Sequence, residues 1–213
     1  MTSEAGPGLI TVPGRGAVRV DPDVATIRLG VVIVRPTAGE ARSAAASAMQ
    51  AVLESLTAGG VERSDLRTSL VGLDAVRDYS GEGGPRVTGY QLTNTVEATI
   101  REVATVGALI DAALAAGATS LDGLAFRLAD PSEALAEARR RAVADARARA
   151  TVLAAEAGVT LGRALAISEG GPMPPGPRPM EAMRMKAAAD VATPVEAGTD
   201  ELEVTITVSF AIG

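Results

Sequence analysis

The stretch "VATIRLGVVIVRPTAGEARSAAASAMQAVLESLTAGG", residues 24–60, decides the class of the fold. Its first residues alternate apolar and polar and then become continuously apolar, which predicts a mostly buried strand. Thr37 can cap a following helix, and Gly59 and Gly60 can end it. That helix has one apolar face, formed by Ala41, Ala45, Ala48, Val52 and Leu56. The stretch is therefore one β-α unit.

The pattern repeats downstream with a hairpin between the units. "LRTSLVGLDAVRDY" and "VTGYQLTNTVEATI" flank the glycine-rich "SGEGGPR", and the second arm alternates as expected for a sheet with one wet face. "EVATVGALIDAALAAGA" predicts a second helix and "SLDGLAFRL" another strand. The order β-α-β-β-α-β over residues 24–128 predicts a ferredoxin-like sheet with both helices on one face.

Upstream, the stretch "VPGRGAVRVDPD", residues 12–23, contains Gly14 and Gly16. Two glycines at this spacing also occur in the glycine-rich loops that bind dinucleotides. Such a loop needs a third small residue, where this chain has Arg19, and a helix that opens onto the phosphates. The following residues are β-branched and interrupted by Asp21 and Pro22, so the pattern favours two strands joined by an Asp-Pro-Asp turn.

Downstream, a long third helix is predicted from Pro131 to Gly158, followed by the short strand "RALAISEG" and the alternating "ELEVTITVSFAI". The helix carries an apolar stripe of Leu135, Ala138, Ala142, Ala146, Ala150 and Leu153. Its "RRR" run, residues 139–141, lies among acidic residues and indicates a solvated face rather than a basic patch. In the last strand Thr205, Thr207 and Ser209 should point outward.

The chain is therefore expected to be an α+β protein, a ferredoxin-like sheet extended by the long third helix and C-terminal strands. All three helices should cover one sheet. Residues 1–213 should form a single domain with one irregular insertion at 171–198, "GPMPPGPRPMEAMRMKAAADVATPVEAG". This insertion is proline-rich first and alanine-rich later.

The insertion also holds most of the methionines, namely Met173, Met180, Met183 and Met185. Thioethers can bind Cu(I) or scavenge oxidant, which makes a small-ligand or soft-metal module the alternative function. The other interpretation is an adaptable apolar contact or a mobile loop. Lys186, in the same insertion, has no identifiable serine partner.

Composition excludes several classes of chemistry. The chain has no histidine and no cysteine, so histidine acid–base catalysis, thiol nucleophiles and imidazole or thiolate metal sites are absent. Two carboxylate sets could act as acid and base, Asp74 with Asp78 and Asp200 with Glu201 and Glu203, but both are interpreted as solvated charge. No catalytic, cofactor or metal residue is assigned.

Charge and hydropathy limit the partners. The net charge of −6 and the scarcity of aromatic residues argue against nucleic-acid binding. No apolar run approaches the length of a membrane span, so no membrane insertion is expected. With no leader segment at its start, the sequence as written predicts a cytoplasmic location, and a periplasmic or secreted one if a signal peptide was removed.

Four stretches together resemble the SIMPL-domain family, which includes bacterial oxidative-stress-defence and periplasmic immunogenic proteins. They are "ITVPGRGAVRVDPDVATIRLGV", "GYQLTNTVEATIREVATVGALIDAALAAGATSLDGLAFRL", "EARRRAVADARARATVLAAEAGVTLGRALAISEG" and "TPVEAGTDELEVTITVSFAI". The resemblance covers nearly the whole chain. It implies an α+β fold without a known cofactor, ring-like or tubular homo-oligomers in some members, and a role in envelope or oxidative-stress physiology.

The resemblance carries over no catalytic residue. Gly14, Gly16, Pro22 and Asp23 match the opening pattern of the family, and turn geometry between the first two strands is their expected role. The chain is therefore expected to be a non-enzymatic homo-oligomer. Its self-contact should use the edge of the last strand or the methionine-rich insertion.

Overall fold

The structure is a computed structural model that describes residues 8–80, 84–170 and 193–213. In chain order its strands and α-helices are β1 (Leu9–Val20), β2 (Val24–Arg35), α1 (Ala38–Ala58), β3 (Leu66–Asp78), β4 (Arg86–Ile100), α2 (Val106–Ala115), β5 (Ser120–Arg127), α3 (Ser132–Glu156), β6 (Leu161–Glu169) and β7 (Asp200–Ile212). The four methionines of the predicted insertion and Lys186 lie outside the described residues.

These residues form two compact units, each with its own sheet and core. The four-stranded unit takes in the described residues of 22–129 together with 193–198. The three-stranded unit takes in 8–21, 130–170 and 199–213. The α+β class is confirmed, and the single-domain description stays a prediction.

The four-stranded unit has the predicted ferredoxin-like topology. Its strand order is β3-β4-β2-β5 and every pair is antiparallel. Helices α1 and α2 pack on one face, where Ile27, Leu29 and Val31 of the central strand β2 are fully buried. The Thr37 hydroxyl accepts a hydrogen bond from the backbone N–H of Glu40 at 3.2 Å, so the predicted helix cap is present.

The three-stranded unit places α3 on a separate sheet of order β1-β7-β6. The small residues Ala138, Ala142, Ala146 and Ala150 of α3 are buried in a core with residues of β1 and β7, and Ala154 is buried as well. The predicted stripe is confirmed except at its end, where Ala154 is buried and Leu153 is half exposed, because a step of four from Ala150 keeps the same face.

The prediction that all three helices cover one sheet is therefore wrong. Helix α3 packs on β1 and β7, which pair with each other and not with the ferredoxin-like strands. The last strand is also not an edge, because β7 pairs with β1 on one side and β6 on the other. Its predicted alternation is confirmed, with Val204, Ile206, Val208 and Phe210 buried.

The role predicted for Gly14 and Gly16 also needs correction. Both lie within β1 rather than in the turn, and both face α3. A Cβ added at Gly14 would collide with the Ala142 carbonyl oxygen, and one added at Gly16 would collide with that of Ala138. The glycines are there because the helix backbone approaches the strand closely. The connection itself runs through Pro22, as predicted.

Among the described residues, no helix combines the length and the apolar character that a membrane crossing requires.

Candidate functional site

The outer edge of β1 is closed by side chains of α3. The Asp145 carboxylate accepts a hydrogen bond from the backbone N–H of Arg15 at 2.8 Å, and the Arg141 guanidinium donates to the Ala17 carbonyl at 2.7 Å. Pro13 in the same strand has no N–H to offer. Unpaired backbone groups on a sheet edge can form hydrogen bonds with a strand of another chain. These contacts occupy such groups of β1 and so disfavour that pairing.

Ion pairs hold the two capping side chains. Arg149 contacts Asp145 at 3.0 Å and Glu137 accepts from Arg141 at 2.9 Å. The hydrogen bond from the Arg15 backbone lowers the pKa of Asp145, and Arg149 adds to this effect. The carboxylate is thus held in the ionised form that can accept the hydrogen bond.

Two further edges are irregular. The pairing of β6 with β7 shifts register between Leu161 and Ala164 and again between Ala164 and Ala166. Strand β5 spans only eight residues, and its ladder with β2 shifts register at Arg28/Leu29. Short or bulged edges are poor templates for another strand.

Strand β3 presents the regular edge. From Leu70 to Val76 it pairs with β4 without interruption, between register shifts at Thr68/Leu70 and Val76/Arg77. In the part of the chain that the structure describes, one side-chain hydrogen bond reaches the backbone of this stretch, from Thr88 of β4 to the Val76 carbonyl. We call residues 70–76 the β3 edge.

The β3 edge exposes apolar side chains on both faces. Leu70 lies opposite Thr95 on the polar face and is 53% exposed, whereas Val71 lies on the helix-covered face and is 63% exposed. Leu73, opposite Leu92, is 48% exposed. Large exposed apolar side chains on an unpaired strand mark a surface that binds another chain or aggregates.

Among the described residues, helix α1 packs on β2 and β4 rather than on β3. A groove of about 420 Å³ lies beside α1, β3 and β4, and its apolar lining residues include Leu53, Leu66 and Val96. Its polar residues include Glu54 and Arg63. The groove is open and has no cluster of titratable groups, so it offers a surface for contact rather than a chemical site.

The first predicted carboxylate pair does not form a site. Asp74 lies opposite Gln91 and Asp78 opposite Arg86, and the four residue steps between them along the strand correspond to roughly 13 Å. Asp78 accepts hydrogen bonds from the Ser80 hydroxyl at 2.7 Å and the Ser80 backbone at 2.8 Å, which lower its pKa. Asp78 is a turn-stabilising anion, not a proton donor at neutral pH.

The second set lies along β7 beside β1. Asp200, Glu201 and Glu203 are opposite Val20, Arg19 and Ala17 in the ladder, respectively. A nitrogen of Arg15 lies 3.9 Å from Glu203. The described residues contain no group of three or more acidic side chains that could hold a metal ion.

The arginines of the "RRR" run form ion pairs, as the solvated-face interpretation predicts. Arg139 pairs with Glu169, and the two arginines that follow it pair with Glu137.

The sequence interpretation missed both the β1 cap and the β3 edge. The cap joins residues 130 positions apart and has no local signal. The β3 edge did have one, because "LVGLDAV" places apolar residues at both odd and even positions, unlike the alternating "YQLTNTVEATI" beside it.

Comparison of the sequence with known families gives a family assignment. The family model SIMPL, described as a protein of unknown function (DUF541), matches residues 10–210. The chain therefore belongs to the SIMPL family, as its sequence resemblance indicated.

Individual relatives share most of the chain. The 26 kDa periplasmic immunogenic protein of Brucella melitensis is 35% identical over 214 residues, covering 97% of this chain and 85% of the relative. The protein of the same name from Brucella abortus matches at the same identity and coverage. Uncharacterized protein YggE of Escherichia coli strain K12 is 27% identical over 149 residues, covering 70% of this chain and 60% of that protein.

Proposed function

We propose that this SIMPL-family protein is a non-enzymatic, self-assembling protein of the bacterial envelope. The observation that carries the proposal is the β3 edge, which has no strand on its outer side among the described residues and carries exposed apolar side chains on both faces. Burial of this surface is favourable by about 25 cal/mol for each Å² of apolar area removed from water. A second protein chain provides such burial together with the missing backbone hydrogen bonds.

The chemistry of the chain supports a non-enzymatic role. It has neither histidine nor cysteine, and of the predicted acid–base candidates Asp74 and Asp78 are separated along β3, with Asp78 engaged in a turn contact. The contact surface predicted from the sequence was the last strand, but β7 is central, so the proposal moves the self-contact to β3. The methionine-rich insertion stays a second predicted contact.

The envelope location rests on relatives. The two Brucella proteins are named periplasmic, and each of them matches 97% of this chain. This similarity favours the periplasmic alternative over the cytoplasmic location predicted from the sequence as written. A role in oxidative stress is supported by the family resemblance and by the oxidisable methionines of the insertion.

Mass measurement in solution tests self-assembly. Light scattering coupled to size exclusion, at protein concentrations from micromolar to near-millimolar, should give masses above the 21.5 kDa of one chain that rise with concentration. A mass fixed at one chain across the whole range would contradict the proposal.

A further inference from the structure

The β3 edge is centred on Leu73. Its regular ladder extends three residues on either side of Leu73, from Leu70 to Val76, and ends at a register shift in each direction. An antiparallel strand pair between two identical chains has a two-fold axis that passes between one residue and its own copy. An axis at Leu73 is the only placement that uses the full regular stretch in both copies.

The side chains match in this register. On the helix-covered face, Leu73 meets its own copy and Val71 meets Ala75 of the second chain. On the opposite face, Leu70 meets Val76 and Asp74 meets Gly72. Apolar residues therefore lie opposite apolar residues, and the one charged residue of the stretch lies opposite a glycine.

Neighbouring registers are less complementary. An axis at Gly72 places Leu70 opposite Asp74 and brings Arg67 opposite Arg77, a like-charge pair. An axis at Val71 places Leu73 opposite Ser69 and extends the pairing across the register shift near Thr68. Side-chain chemistry and ladder regularity thus favour the same centre.

We infer that two copies of this chain pair antiparallel through β3, with the two-fold axis at Leu73, and join their four-stranded sheets into one sheet of eight strands. The inference rests on the proposed self-assembly and specifies its contact. The partner is a second copy rather than a foreign strand because the edge is complementary to itself in sequence as well as in backbone hydrogen bonds.

Single cysteines provide the test, because the chain has no cysteine of its own. Directly opposite residues of an antiparallel pair have Cα atoms about 4.5–5.5 Å apart, a distance that a disulfide spans. Purified Leu73→Cys should form a covalent dimer under mild oxidation, roughly tenfold faster than Ile167→Cys, an exposed control on the irregular β6. Mixed Val71→Cys and Ala75→Cys should crosslink to each other faster than either crosslinks to itself.

Two outcomes would overturn the inference. One is dimer formation by Ile167→Cys as fast as by Leu73→Cys. The other is faster self-crosslinking by Val71→Cys or Gly72→Cys, which would place the axis elsewhere.

Introducing a charge at the contact gives an independent readout that does not depend on oxidation. Leu73→Lys should raise the dimer dissociation constant at least about tenfold, because two like charges would lie opposite each other on the axis. The exposed site should leave the urea midpoint nearly unchanged, and Ile167→Lys should change neither quantity. An oligomer that is insensitive to Leu73→Lys would refute the β3 contact and leave self-assembly intact, whereas a strictly monomeric parent chain would refute both.

Discussion

Replacing Gly14 or Gly16 with alanine tests the close approach of α3 to β1. The added Cβ at Gly14 would overlap the Ala142 carbonyl oxygen and lie 2.7 Å from the Ala146 Cβ. At Gly16 it would overlap the Ala138 carbonyl oxygen and lie 2.9 Å from the Arg141 Cβ. Backbone atoms cannot rotate away as a side chain can, so the helix must shift.

The expected cost follows from that displacement. Overpacking a buried contact costs typically about 1–3 kcal/mol, and a clash with backbone belongs in the upper half of that range. A loss of about 2 kcal/mol lowers the melting temperature of a chain this size by roughly 4–8 °C. The shift also loosens the contacts of Val12 and the alanine stripe, which are buried now.

Circular dichroism melting and urea titration of Gly14→Ala and Gly16→Ala measure the effect. Gly39→Ala is the matched control, because Gly39 lies in the first turn of α1 and a Cβ there meets no atom of the described residues within 4 Å. The control should be neutral or stabilising by up to about 1 kcal/mol. Melting temperatures of both β1 variants within a degree of the parent would refute the close-packing argument.

Three further predictions concern the β1 cap, the contact between Asp111 and Thr193, and the methionines of the insertion. Asp145→Ala should speed hydrogen exchange at the Arg15 amide, because that N–H loses its acceptor, and an unchanged rate would contradict the cap. Thr193 lowers the pKa of Asp111 through two hydrogen bonds, so the contact stabilises the fold above about pH 4 and is lost as pH falls through the depressed folded value. Asp111→Asn should therefore lower the urea midpoint at pH 7 more than at pH 3, and an equal loss at both would contradict it. The last prediction concerns the methionines of the insertion, Met173, Met180, Met183 and Met185. We expect the protein to take up no stoichiometric Cu(I) in competition with a chromophoric chelator. Uptake that is abolished when these methionines are replaced by leucine would favour the metal-binding alternative.

Local patterns were sufficient to predict the elements of the four-stranded unit. The alternation in residues 24–34, the Thr37 cap and the Gly59–Gly60 stop are each encoded within a few residues. Their order then leaves few topologies, because both crossovers must have the same hand. The ferredoxin-like order β3-β4-β2-β5 follows from these local signals.

The second sheet could not be predicted in the same way. Strands β1, β6 and β7 each carry ordinary strand patterns, but nothing in those patterns specifies their partners. The pairing of β1 with β7 joins residues nearly 200 positions apart, as in the hydrogen bond between Thr11 and Ser209. The interpretation of Gly14 and Gly16 as turn residues failed for the same reason, since the helix that explains them lies far along the chain.

The glycines and the β1 cap belong to one arrangement. Because Gly14 and Gly16 admit the α3 backbone, Asp145 can bring its carboxylate within 2.8 Å of the Arg15 amide at the outer edge of the strand. A helix held away by larger β1 residues would withdraw that carboxylate, so Gly14→Ala should open the edge as well as destabilise the unit. In the described ranges no helix packs on β3 in this way, since α1 packs on β2 and β4. The chain thus closes the edge of β1 with its own helix, and it leaves the edge of β3 for the pairing that we infer.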